Sequence, residues 1–199
     1  FTISAWIKRG VIQNGTILSA GADNNNAFRF RFNGASLQAY DYNGSSNNYD
    51  WALETNADLR DPAAWYHVML AVDTTQATNT NRMKLYINGN QQTDLATASY
   101  PSSQNYDTEF NQADQVHRLG ETHSVDSAMN GYLAEVYLLD GIVGTPSDFG
   151  ETGSYGEWKP IEYTGSFGNN GWYLPFKQDY TVEGFSATVW KNPAPMYVG

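Results

Sequence analysis

Hydrophobic and polar residues alternate along most of this chain. In FTISAWIK (1–8), Phe1, Ile3, Ala5 and Ile7 fall on one face and Thr2, Ser4, Trp6 and Lys8 on the other, the period-two pattern of a β-strand. GTILSAG (15–21) reads as a second short strand after the Gln13-Asn14-Gly15 turn. AFRFRF (27–32) alternates strictly, so Phe28, Phe30 and Phe32 should point inward and Arg29 and Arg31 to solvent. Asn33-Gly34 is a two-residue hairpin signal, with SLQAYDY (36–42) as the return strand and YDWALE (49–54) as the next. AWYHVMLAVD (64–73) is the strongest strand and should be central, buried on both faces. RMKLYINGNQQTD (82–94) predicts a hairpin turning at Asn88-Gly89, while residues 96–114 read as a long polar segment. VHRLG and GYLAEVYLLDG close the series. One helical turn is expected near Pro146 to Phe149, capped by Thr145 with Pro146 in its first position. Short strands separated by Gly and Asn turns predict an all-β, antiparallel two-sheet jelly-roll sandwich.

Composition supports this class. Aromatic residues make up 15% of the 199 and charged residues only 16%, with 18 Gly, 14 Tyr and 6 Trp; strands favour aromatics and tight turns need Gly. There is no Cys, which excludes disulfides, thiolate metal sites and thiol nucleophiles. The net charge of −10 argues against nucleic acid as a partner, which requires clustered Lys and Arg. No apolar run is long enough to span a membrane as a helix, and no signal peptide is visible. The chain starts inside a strand, and EGFSATVWKNPAPMYVG reads as the opening of another unit, so a portion of a longer polypeptide is expected. Residues 1–150 are assigned to the sandwich, lacking an N-terminal strand, residues 151–176 to a Gly- and aromatic-rich strap, and residues 177–199 to a linker or following unit.

Four segments carry a family resemblance: FTISAWIKRG; AWYHVMLAVDTTQATNTNRMKLYINGNQQT; GYLAEVYLLDG; and FGETGSYGEWKPIEYTGSFGNNGWYLPF (149–176). The first three resemble laminin-G-like modules of the concanavalin A-like lectin and glucanase class. The fourth resembles a tail that follows such modules in virion and surface proteins of marine phages and bacteria. The resemblance implies a structural or adhesive virion module, as in a tail fibre, appendage or capsid decoration, located in the virion or at a cell surface. Its partners would be other virion proteins or copies of itself. A glycan-binding receptor module is the alternative, with cell-surface glycan as partner.

The class also includes laminarinase-type hydrolases, whose retaining carboxyl pair stands about 5–5.5 Å apart. No strand here carries such an array. Asp58 and Asp61 sit beside a Pro in a loop, and Glu135 and Asp140 have opposite parity on a regular strand. The chain is therefore expected not to be an enzyme. His67 should be a packed ring with one hydrogen bond, and neither His117 nor His123 has a recognisable nucleophile beside it. Laminin-G and pentraxin relatives often hold calcium, which makes Asp23, Asp73, Asp126 and Asp140 possible ligands, though none belongs to a contiguous calcium loop. Tyr40, Tyr42, Tyr49 and Trp51 surround one loop and could stack on sugars, or else fill the core. Trp158, Tyr163, Phe167, Trp172 and Tyr173 are too dense for a free linker and should pin the strap to the sandwich, leaving its outer face for assembly.

Overall fold

The computed structural model describes residues 1–21, 23, 25–113, 115–123 and 127–177. The chain is all-β apart from two short 3₁₀ turns among these residues. The first sheet runs β14 (Trp172–Leu174), β11 (Gly131–Leu139), β1 (Thr2–Arg9), β6 (Trp65–Val72), β7 (Met83–Ile87) and β8 (Asn90–Gln91). The second runs β10 (His117–Leu119), β2 (Gly15–Ala20), β3 (Asn26–Asn33), β4 (Ser36–Asn43), β5 (Asn48–Asp58) and β9 (Leu95–Ser99). β12 (Gly150–Thr152) and β13 (Trp158–Pro160) form a separate two-stranded ribbon. Neighbouring strands of both sheets pair antiparallel.

The inner faces meet as the alternation predicts. Ile3, Ala5 and Ile7 of β1 pack with Phe28, Phe30 and Phe32 of β3, Val68 and Leu70 of β6, and Trp51 and Leu53 of β5 in one buried cluster. Each large apolar side chain sealed there stabilises the fold by roughly 1.5–3 kcal/mol. β6 lies between β1 and β7 and is buried on both faces over Val68–Val72.

Both hairpins form. Asn88 (φ 47°) and Gly89 (φ 81°) are the two left-handed residues of the β7–β8 turn, the conformation that Asn-Gly accepts at least cost. The β3–β4 turn is displaced by one residue from the expectation: Asn33 pairs with Ser36, so the two loop residues are Gly34 and Ala35. Gly34 supplies the positive φ of 59°. The expected helical turn forms at Pro146–Asp148, where the Thr145 amide donates to Asp148 Oδ2 at 2.6 Å.

Four expectations change. Arg29 and Arg31 are half-buried rather than free in solvent. Arg31 Nε donates to Gln38 Oε1 at 2.8 Å, and its guanidinium lies 5.3 Å from the Tyr40 ring. The polar stretch 96–114 begins with β9, which pairs along β5. β11 is not regular: between Ser4↔Tyr137 and Trp6↔Ala134 it carries one extra residue, with Glu135 at φ 50°, a β-bulge. Finally, β1 is buried on both faces, including Thr2, Ser4 and Trp6, because later residues cover the outer face of the first sheet.

That cover comes from residues 149–173. Phe149, Tyr163, Phe167 and Tyr173 pack with Met69, Ala71, Tyr137 and Leu139 in a second cluster. Tyr173 stacks on Tyr137 with ring centroids 4.4 Å apart and planes 7° apart. β14 adds three residues to the β11 edge, pairing Trp172 with Leu138 and Tyr173 with Tyr137. Trp158 lies over His67, donating its indole N–H to Nδ1 at 3.1 Å. A Cβ at Gly89 would meet the Trp158 ring at 2.8 Å, so that turn needs Gly for space as well as conformation.

Candidate functional site

At one side of the sandwich, β14 and β11 of the first sheet face β10 and β2 of the second. The segment after β9 returns between them. A cleft of about 410 Å³ opens there, within the size range of small-molecule sites. Leu18, Leu138 and Phe110 form its apolar floor. Trp172 and His117 form walls, and Asn111, Gln112, Gln115 and Asn170 bring amides to it.

Asp140 fixes two of these amides. Its Oδ1 accepts from Asn111 Nδ2 at 2.6 Å, and its Oδ2 accepts from the Asn170 backbone N–H and Nδ2, both at 3.0 Å. One carboxylate thereby joins the loop before β10 to the loop before β14. Gln112 Nε2 donates to the Thr108 carbonyl at 2.7 Å, leaving its amide oxygen available. Gln115 Oε1 is buried without a partner among the described residues, an acceptor whose desolvation is uncompensated.

His117 is a wall rather than a base. The Asn111 N–H donates to its Nε2 at 2.9 Å, so its proton sits on Nδ1, 3.0 Å from the Gln115 carbonyl. Burial lowers its pKa from the ordinary value, which the Gln115 carbonyl partly offsets. Phe110 stands edge-on to this ring at 4.9 Å and packs on Phe1 and Phe28.

His67 lies elsewhere, on the outer face of the first sheet. It makes two hydrogen bonds, not one. Because Trp158 Nε1 can only donate, His67 Nδ1 accepts and Nε2–H donates to Ser4 Oγ at 2.8 Å. Trp6 and Trp158 stack on it at 5.4 and 6.1 Å. Burial pushes its pKa down to about 4. His123 Nδ1 lies 3.3 Å from Arg118 Nη2.

The loop aromatics separate. Tyr40, Tyr42 and Tyr49 share the outer face of the second sheet, with Tyr49 4.8 Å from Tyr40 and 5.7 Å from Tyr42. Tyr49 is 42% exposed and Tyr40 is buried. Trp51 is 0% exposed and points into the core, so it presents no face to a sugar. Opposite Trp51 in the ladder, Asp41 is also sealed. Burial raises its pKa to about 7, against donors that lower it, the Glu109 backbone N–H first.

The carboxylates are engaged in loop closure. Asp23 accepts the N–H of Asn25 and Asn26 at 2.7 and 3.1 Å. Asp73 accepts from the Thr75 hydroxyl and Gln76 Nε2, each at 2.6 Å. Asp140 is held as above, and Asp126 lies outside the described residues. Among the described residues, no group of three or more His, Asp and Glu could hold a metal ion. Asp58 pairs with Arg60 at 2.6 Å, and Asp61 Oδ1 caps the Ala63 N–H. Glu135 accepts from the Tyr137 and Tyr173 hydroxyls at 3.1 and 2.5 Å, a partner set separate from that of Asp140. No helix among the described residues is long and apolar enough to cross a membrane.

Two large antiparallel sheets packed face to face, with an amide-rimmed cleft at their edges, place the chain among the lectin-type β-sandwiches. It belongs to the concanavalin A-like lectin/glucanases superfamily, matching the Laminin_G_3 family over residues 1–144. No curated protein matches the sequence significantly. Among solved structures, it is similar to the native heptameric SAP-like pentraxin from Limulus polyphemus, at 18% identity over 68% of this chain and 61% of that chain, with a TM-score of 0.40. It is also similar to domain 4 of AbnA, a GH43 extracellular arabinanase from Geobacillus stearothermophilus, in complex with arabinotriose, at 18% identity over 68% and 57%, TM-score 0.46. A third similar structure is described as a receptor binding domain, at 16% identity over 66% and 30%, TM-score 0.39. The chain spans less than two thirds of each of these chains.

Proposed function

We propose that this chain is a non-enzymatic adhesive module that holds a saccharide in the cleft between its sheet edges. The observation that carries this reading is the lining: an apolar floor, one indole wall, and side-chain amides fixed by Asp140. A sugar ring has an apolar C–H face that stacks on Trp172. Its hydroxyls are both donors and acceptors, matching the two-sided hydrogen bonding of an amide. The unpartnered Gln115 Oε1 is an acceptor for such a hydroxyl. Among the described residues no carboxyl pair converges on the cleft, which supports binding over hydrolysis.

Titration of a glycan array, followed by calorimetry on the hits, tests the reading. The cleft variant Gln112→Ala, which alters no core residue, should weaken binding about tenfold, roughly one hydrogen bond to a ligand. Binding that ignores both Gln112→Ala and Trp172→Ala would move the site elsewhere. Reducing-sugar release abolished by a single Asp or Glu substitution would replace the reading with a hydrolase.

The virion setting is a second, finer reading, favoured by the likeness of residues 149–176 to tails that follow such modules in phage proteins. Antibodies raised to this module should label phage particles. Labelling confined to bacterial envelopes would assign the module to a cell-surface protein instead.

A further inference from the structure

We propose that the uncovered end of the first sheet's outer face is a second saccharide site, taking an extended acidic glycan across Trp65, Lys8 and Tyr132. These residues come from three adjacent strands. Lys8 of β1 stands directly opposite Trp65 of β6 on one side and Tyr132 of β11 on the other. Directly paired residues project to the same face, so the three form one row across the sheet. The parity agrees: Trp6 and His67, one step along, stack on the outer face, while Ile7 and Leu133 point into the core.

The row is bare. Trp65 is 42% exposed and Tyr132 is 65% exposed. The residues that cover the rest of this face pack instead over Met69, Tyr137 and His67. Two aromatics in register with a lysine across three paired strands form one line along which an extended chain can lie.

The geometry selects the ligand. Trp65 and Tyr132 are two strand spacings apart, about 10 Å, a separation that matches alternate rings of an extended β-linked glycan running across the strands. Lys8 lies between them and makes no ion pair or hydrogen bond among the described residues. Its ammonium therefore meets the intervening sugar and calls for a carboxylate or sulfate there. Three side chains fall well short of the roughly 800 Å² per partner that a stable protein interface buries, which argues against a second copy as occupant. The row is separate from the cleft, since Tyr132 lies six residues along β11 from Leu138 of the cleft floor, about 20 Å in an extended strand.

The test is calorimetry and Trp fluorescence with three hexasaccharides: β-1,4-mannuronan, sulfated cellohexaose and neutral cellohexaose. Binding of either anionic chain above cellohexaose supports the proposal, and which one binds identifies the anion. Trp65→Ala or Tyr132→Ala should each weaken it at least tenfold, and Lys8→Gln should reduce it to the neutral level. Gln112→Ala in the cleft should leave it unchanged, which separates this site from the cleft reading. In the unaltered protein, NMR should report shifts at the Trp65 indole and Tyr132 ring on titration, independently of any variant. The proposal is overturned if no hexasaccharide binds, if binding survives both aromatic substitutions, or if sedimentation finds a dimer that Trp65→Ala dissociates.

Discussion

The two ends of the first sheet's outer face share strands and alternation, yet they differ in what lies over them. At one end Tyr137 is 1% exposed, beneath Phe149, Tyr163, Phe167 and Tyr173. At the other end Tyr132, on the same strand, is 65% exposed. Period-two patterning states which residues share a face. It does not state whether a distant segment covers that face, because covering depends on where residues 149–173 return. Trp6, His67 and Trp158 mark the boundary between the two ends.

The sharpest way to break this contrast is to truncate one tyrosine at each end. Tyr137→Ala should cost about 3–5 kcal/mol, the range for a large buried aromatic, while Tyr132→Ala should stay within about 0.5 kcal/mol. Urea denaturation measures both, and similar losses would mean the two ends are packed alike. Next in size is the double change Trp158→Ala plus Trp172→Ala. It strips the indole over Gly89 and the first residue of β14, and should cost roughly 2–4 kcal/mol. Limited proteolysis should then nick residues 151–176 ahead of the sandwich.

Acid sharpens the comparison at its boundary. His67 has a folded pKa depressed to about 4 from 6.5, so between these values the unfolded chain binds more protons. The stability due to neutral His67 is therefore complete above pH 6.5 and is lost as pH falls to about 4, roughly 3 kcal/mol in all. Asp41 acts oppositely. Its pKa is raised to about 7 from 3.8, so its contribution is complete below pH 3.8 and is lost as pH rises through 7. The two contributions oppose each other between pH 4 and 6.5, so Asp41→Asn should lose stability on acidification more steeply than the wild type. Equal slopes in the two proteins would remove Asp41 from the account. The smallest effect is expected from Trp158→Phe, which keeps a ring but leaves His67 Nδ1 without its donor, about 1 kcal/mol.

Much of the fold was legible because its signals are local. AFRFRF needs only alternation and a nearby turn residue to pair with SLQAYDY. Asn88-Gly89 needs only its own permitted φ values. β9 was missed because LATAS is short and rich in small residues, and its pairing with β5 joins positions 40 to 47 residues apart. The bulge at Glu135 was missed because one inserted residue leaves no mark in a run of apolar positions. The cleft was the least legible part. Its amides sit in stretches that read as polar loops, and only the fold brings Asn111 and Asn170 to one carboxylate. Trp172 was visible as an aromatic of the strap, but not as a wall of the cleft. The row Trp65–Lys8–Tyr132 combines three strands that are distant in sequence, and it emerges only from their register.

Hydroxyl-radical footprinting with and without the acidic hexasaccharide tests the central contrast in one measurement. In the free protein, Trp65 and Tyr132 should label readily and Tyr137 should stay silent. Adding the glycan should protect Trp65 and Tyr132 alone. Labelling of Tyr137 as fast as Tyr132 in the free protein, or no protection of Tyr132 at saturating glycan, would contradict the account.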